Sequence, residues 1–223
     1  MKSALLTLIF VASVLVAQSL GSRQMGSLDS AQGLYEALIP PGFCALSGRD
    51  PGEAQVLDHQ TRTTEEASLR LLTYFIDCDQ LAQLRAGIVE LDRFGYLVTP
   101  VEPGGLAAVS AERYVDLMAH HIADKEAVTL EEGLIRLAKG ERDVDVGVLR
   151  RDSDAIYEGR LSRQTMTSGQ GGEDGTIIAL NGYTKLGAIP VVITLVLPYE
   201  GREALDSLLE AQHQRLTAVA QTE

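Results

Sequence analysis

The chain has 223 residues, 45% hydrophobic and 22% charged, and a formal net charge of −12 at pH 7. That is the composition of a globular domain without repeats or low-complexity tracts. It excludes the basic footprint of a nucleic-acid binder and the polybasic patch of a membrane-surface protein, and the excess of acid reads as a solvated, soluble face.

In chain order, Met1-Lys2-Ser3 is a short basic start, Ala4 to Val16 is apolar, and Ala17 to Ser22 is small and polar. This is the tripartite pattern of a secretory signal peptide over residues 1–19, with cleavage expected after Ala17 or Ser19. The apolar core falls short of the roughly 20 residues of a membrane span, so no stable span is expected once the leader is gone. No cysteine lies near the cut, which argues against a lipid-anchored protein. Residues 20–39 read as a flexible N-terminal segment with a short helix at Ala31 to Leu38, stopped by Pro40-Pro41. Residues 40–223 then suffice for one domain that buries about 70% of its unfolded surface.

Gly42 to Leu46 reads as a first strand. Asp50 with Pro51 after it starts a helix to about Thr61, and Ser68 to Cys78 is a second strand. Asp79 is placed to cap the short segment Gln80 to Arg85. Ile88 to Leu91 and Tyr96 to Thr99 suggest a broken strand or hairpin. Ser110 opens a helix from Ala111 to about Lys125, with Tyr114, Leu117, Met118, His121 and Ile122 on its apolar side. A second helix is expected over Leu130 to Ala138, using Leu130, Leu134, Ile135, Leu137 and Ala138 for contacts, with Gly140 past its end.

The period then changes to two. Val144, Val146 and Val148 alternate with polar or small residues, Asp152-Ser153-Asp154 turns the chain, and Ala155 to Leu161 returns antiparallel. A polar glycine loop, Ser168 to Gly175, precedes Thr176 to Leu180 and an expected hairpin at Asn181-Gly182. Val191 to Leu197, bracketed by Pro190 and Pro198, is a β-branched and aliphatic run too short for a helix. With apolar residues on both faces it must be a central strand covered above and below. A last helix runs from Glu200 to about Ala220, presenting Leu205, Leu208, Leu209, Gln212, Leu216 and Val219 to the sheet.

The two cysteines, Cys44 and Cys78, sit at or near the ends of the first two strands. In an exported protein such a pair reads as a disulfide, worth about 3 to 4 kcal/mol by loop-closure entropy. The redox alternative lacks the Cys-x-x-Cys spacing.

The order of the Phe43-Cys44 strand, the Phe75-Ile76-Asp77-Cys78 strand end, the Gly147-Val148-Leu149 and Ala155 to Gly159 hairpin, and the Pro190 to Tyr199 strand before a last helix resembles uncharacterised secreted proteobacterial proteins with a PsbP-like α/β/α sandwich. The resemblance spans roughly residues 40 to 219. It implies an α+β fold, a mostly antiparallel sheet with helices on both faces, and a role in binding or assembly with no shared catalytic set.

Four features were weighed for chemistry. Asp116, His120 and Asp124 recur every fourth residue and line one helical stripe, the spacing for a metal or a pH-sensitive contact; a solvent-facing stripe of local charge pairs is the simpler reading. His121, on the apolar flank, reads as partly buried. The glycine loop lacks the Gly-Lys-Ser/Thr ending of a phosphate cradle, and Glu173 and Asp174 would repel phosphate. Asp152-x-Asp154 has too few oxygens for a calcium loop. No Gly-x-Ser-x-Gly, Ser-x-x-Lys or His-Glu-x-x-His is present. The expectation is therefore an extracytoplasmic binding or assembly module for an envelope protein or other exported partner, meeting it at a sheet edge or helix groove, with no cofactor and no catalytic residue. The alternative is a hydrolase or metal-dependent enzyme whose residues converge from separate loops.

Overall fold

In a computed structural model the described residues are 28–87, 91–166 and 173–220. The leader and most of the glycine loop lie outside them. The helix expected near residue 31 begins earlier, as α1 (Leu28–Ala37), and is followed by the three-residue strand β1 (Phe43–Ala45). Next come α2 (Pro51–Glu66), β2 (Leu69–Asp77), α3 (Cys78–Arg85) and β3 (Phe94–Pro100). A single 3-10 turn, Gly104–Ala107, leads to α4 (Ala111–Ala123) and α5 (Leu130–Ala138). The chain ends with β4 (Asp143–Arg151), β5 (Ala155–Met166), β6 (Glu173–Leu186), β7 (Ile189–Pro198) and α6 (Arg202–Ala220).

The strands form one seven-stranded sheet in the order β1-β2-β3-β7-β6-β5-β4, with antiparallel pairing throughout. The apolar run that demanded cover on both sides is β7, the middle strand. On one face α1, α5 and α6 close a continuous core in which Leu97, Leu180, Val191, Ile193 and Leu195 meet Leu38, Leu137, Leu205 and Leu209. On the other face the helices form two separate clusters. The residues Tyr74, Ile76, Leu81 and Leu84 pack with α2 and α3, whereas Ile156 and Tyr183 pack with Tyr114, Val115 and Ile122 of α4. The fold is thus α+β, a sheet covered by helices. No helix among the described residues is long and apolar enough to cross a membrane.

Caps and turns fix the local boundaries. Asp50 accepts from Gly52 N at 2.8 Å, Ser110 from Arg113 N, and Thr129 from Glu132 N. Asp77, not Asp79, caps α3, because its side chain accepts from the amides of Asp79 and Gln80. Cys44 and Cys78 are joined, tying the edge strand to the start of α3 with 5.0 Å between Cα atoms. The reversal expected at Asn181-Gly182 lies six residues later, at Gly187-Ala188, where Gly187 takes φ 54°. Asn181 and Gly182 continue inside β6, and the Tyr157 ring fills the space over Gly182.

Candidate functional site

Asp116, His120 and Asp124 are not brought together as a ligand set. His120 is 83% exposed and lies 3.9 Å from Asp124 at the end of α4, whereas Asp116 is taken by Arg151 from across the β4–β5 turn. No group of three or more potential metal ligands occurs among the described residues. His121 is exposed rather than partly buried. Val115 occupies the buried side of α4 in its place, since the helix turns Tyr114, Val115 and Ile122 to the sheet. On α5 the apolar side is likewise narrower than expected, and Ile135 stays 53% exposed.

Asp116 instead lines a shallow, solvent-open cleft of about 380 Å³ with Glu112, Val115, Arg151, Asp152 and Ser153. Neither His120 nor His121 belongs to it. Asp152 accepts from Arg150 Nε at 2.8 Å and lies 3.3 Å from His213 Nδ1, while Arg150 Nη1 donates to Glu210 at 2.6 Å. The Asp152-Ser153-Asp154 turn is therefore a clamp between the β4–β5 hairpin and α6. Its Asp152 carboxylate holds Arg150.

The second face of the sheet holds a different feature, one that local motifs did not disclose. Register places Tyr74, Tyr96, Thr194, Asn181, Glu158 and Val148 side by side across β2, β3, β7, β6, β5 and β4. Thr194 Oγ1 donates to Asn181 Oδ1 at 2.9 Å, and Tyr96 hydrogen-bonds Thr194. Glu158, with 7% of its side chain exposed, receives Lys125 Nζ at 2.9 Å on both carboxylate oxygens and the Tyr183 hydroxyl at 2.5 Å on Oε1. Burial pushes the Tyr183 phenol well above its ordinary pKa, and the adjacent Glu158 charge pushes it further. The phenol therefore stays protonated and acts as a donor, not a base.

Tyr74 and Tyr96 of this row belong to the cluster under α2 and α3, whereas Thr194, Asn181 and Glu158 belong to neither helix cluster. One row further from α4 stand Phe94, Val196, Ala179, Arg160 and Asp145, again in register, and beyond them Pro198, Ile177, Ser162 and Asp143. Val196, Ala179 and Asn181 are only partly buried although they lie on the central strands β7 and β6. Their neighbours pointing to the other face, Leu195, Leu180 and Ile178, are buried. This face of the central strands is thus less completely covered than the face opposite. The signal was legible in principle: Glu158, Asn181 and Thr194 each interrupt an apolar strand at a position its period assigns to the sheet interior. What the period could not say is that they share one row.

No known protein family, curated protein or solved structure matches the chain. The resemblance to PsbP-like proteins thus rests on the residue pattern alone.

Proposed function

We propose that this protein is an extracytoplasmic binding or assembly module whose partner seats on the half-covered face of the sheet. The observation that carries the reading is the register row Tyr96-Thr194-Asn181-Glu158, a line of hydrogen-bonding side chains across central strands, beside the partly buried Val196 and Ala179. Polar residues placed mid-sheet cost stability unless they are satisfied, and a recognition surface is the common reason to carry them. The expected leader and the Cys44–Cys78 disulfide support the compartment. In the cleft at Asp116 the carboxylates are engaged by arginines, Asp116 by Arg151 and Asp152 by Arg150, which favours the binder over the hydrolase or metal-dependent alternative.

The test is site-specific photocrosslinking in an envelope extract. A benzophenone side chain at Val196 on the half-covered face should capture one discrete component, and the same group at Ser207, exposed on α6, should not. Capture of that component with equal yield from both positions, or from Ser207 alone, would remove this face from the proposal.

A further inference from the structure

We infer that the half-covered face takes a lysine- or arginine-rich segment of its partner, and that Lys125 is the internal cation such a segment displaces from Glu158. The inference rests on the reading of that face as the binding surface and adds the chemistry of what binds.

Glu158 is a buried carboxylate on β5, the strand beside the edge strand β4, and a buried charge needs a counter-charge. The counter-charge does not come from a neighbouring strand, where register would fix it. It comes from Lys125, two residues past α4 in the connection to α5, whose side chain is 30% exposed. A cation held on a connecting segment can be exchanged for one from another chain without disturbing the ladder. Tyr183 remains as a donor to Glu158 in either state, because it is anchored in the cluster under α4.

The surroundings select the same ligand. Asp145 and Asp143 are exposed on the sheet face next to Glu158, and Asp124 and Glu126, the chain neighbours of Lys125, are exposed as well. Within the two rows beyond Glu158, Arg160 is the cation among the described residues, and it lies 3.5 Å from Asp145. In the row of Asp145, past Arg160, the floor is Ala179 and Val196. Lysine and arginine suit such a floor, since their methylene stems lie along apolar surface while their charged heads reach carboxylates at its rim. The net charge of −12 draws a cationic segment toward the protein and repels an acidic one.

The experiment is a fluorescence titration of the purified protein with labelled decalysine at low salt, with decaglutamate as the opposite-charge control. Lys125→Met, which empties the internal site, should raise decalysine affinity about tenfold, as expected when one half-buried ion pair no longer competes. Asp145→Asn, an exposed change, should weaken binding severalfold, and added salt should weaken it throughout. Amide shifts on adding decalysine to the unmodified protein should concentrate at Asn181, Thr194 and Val196. If Lys125→Met does not fold, the Asp145→Asn titration and the shift map decide. Equal affinity with and without Lys125, equal binding of decaglutamate, or shifts confined to other surfaces overturns the inference. A crosslinked partner at Val196 without decalysine binding leaves the binding face standing and removes its cationic ligand; the loss of both removes the face too.

Discussion

At the scale of single residues, charge placement divides into solvated stripes and buried anchors. The Asp116-His120-Asp124 stripe divides in the fold between an Arg151 pair and an exposed His120–Asp124 pair, whereas Glu53, fully buried on α2, carries a junction. Its Oε2 accepts from Ser47 N, Ser47 Oγ and Gly48 N at 2.7, 2.8 and 3.1 Å, and its Oε1 receives Arg85 from α3. Burial alone would raise the Glu53 carboxyl pKa; the amide and hydroxyl of Ser47, with Arg85, outweigh it and hold the carboxyl below its ordinary value. A depressed pKa means that the stabilisation is present above the unfolded-state value, near pH 4.3, and is lost as pH falls through the folded one. Glu53→Gln should therefore cost about 3 kcal/mol at pH 7, and acidification below about pH 4.5 should lower the melting temperature of the unmodified protein more than that of the variant. Parallel thermal melts across pH check both, and identical acid slopes would show that Glu53 is not the titrating anchor.

At the scale of elements, close approach of strands explains a glycine that lies between the two segments of the expected broken strand or hairpin. Gly95 sits in β3 between Phe75 of β2 and Leu195 of β7. A Cβ there would lie 2.5 Å from both the Phe75 ring and the Thr194 carbonyl oxygen. A ring can shift, but a ladder carbonyl cannot without breaking its own pairing. Gly95→Ala should thus destabilise by about 1–3 kcal/mol through overpacking, read as a lower urea midpoint, and should perturb the amides of Thr194 and Leu195. An unchanged midpoint would mean that the β3–β7 spacing relaxes freely. The disulfide works on the same region, tying β1 to the first residue of α3, so that this three-residue strand stays attached to its single neighbour. The starts of α4 and α5 were legible because capping is local: Ser110 and Thr129 each precede their helices by one residue, as their side-chain bonds to the backbone require.

At the scale of the whole molecule, the sheet guards its edges. On one side β1 offers three residues. On the other, β4 is irregular twice, between Val146 and Val148 and between Val148 and Arg150, and the first irregularity leaves Val148 47% exposed. The α4–α5 connection then lays Val128 against it, with Val128 N donating to Asp145 O and Gly147 N donating to Val128 O. Bulges and a covering segment are the usual devices against edge-to-edge association. Val128→Pro removes the first of these bonds and should shift the protein toward larger assemblies in sedimentation, relative to the unmodified chain. An unaltered sedimentation profile would indicate that the bulges alone suffice.

Composition and periodicity by themselves determined the central place of Val191 to Leu197, the reading of Cys44 and Cys78 as a disulfide and the starts of α2, α4 and α5, while the α+β class was what the resemblance implied. The former follow from local backbone preferences, alternation along a strand and the number of cysteines, all of which are written in neighbouring residues. Only the tertiary structure decided which faces the helices cover, that the turn falls at Gly187 rather than Asn181, and that Tyr96, Thr194, Asn181 and Glu158 stand in one row reached by Lys125. Such a row is a matter of register between strands up to about a hundred residues apart. Register is set by packing across the whole sheet, which no stretch of sequence carries alone.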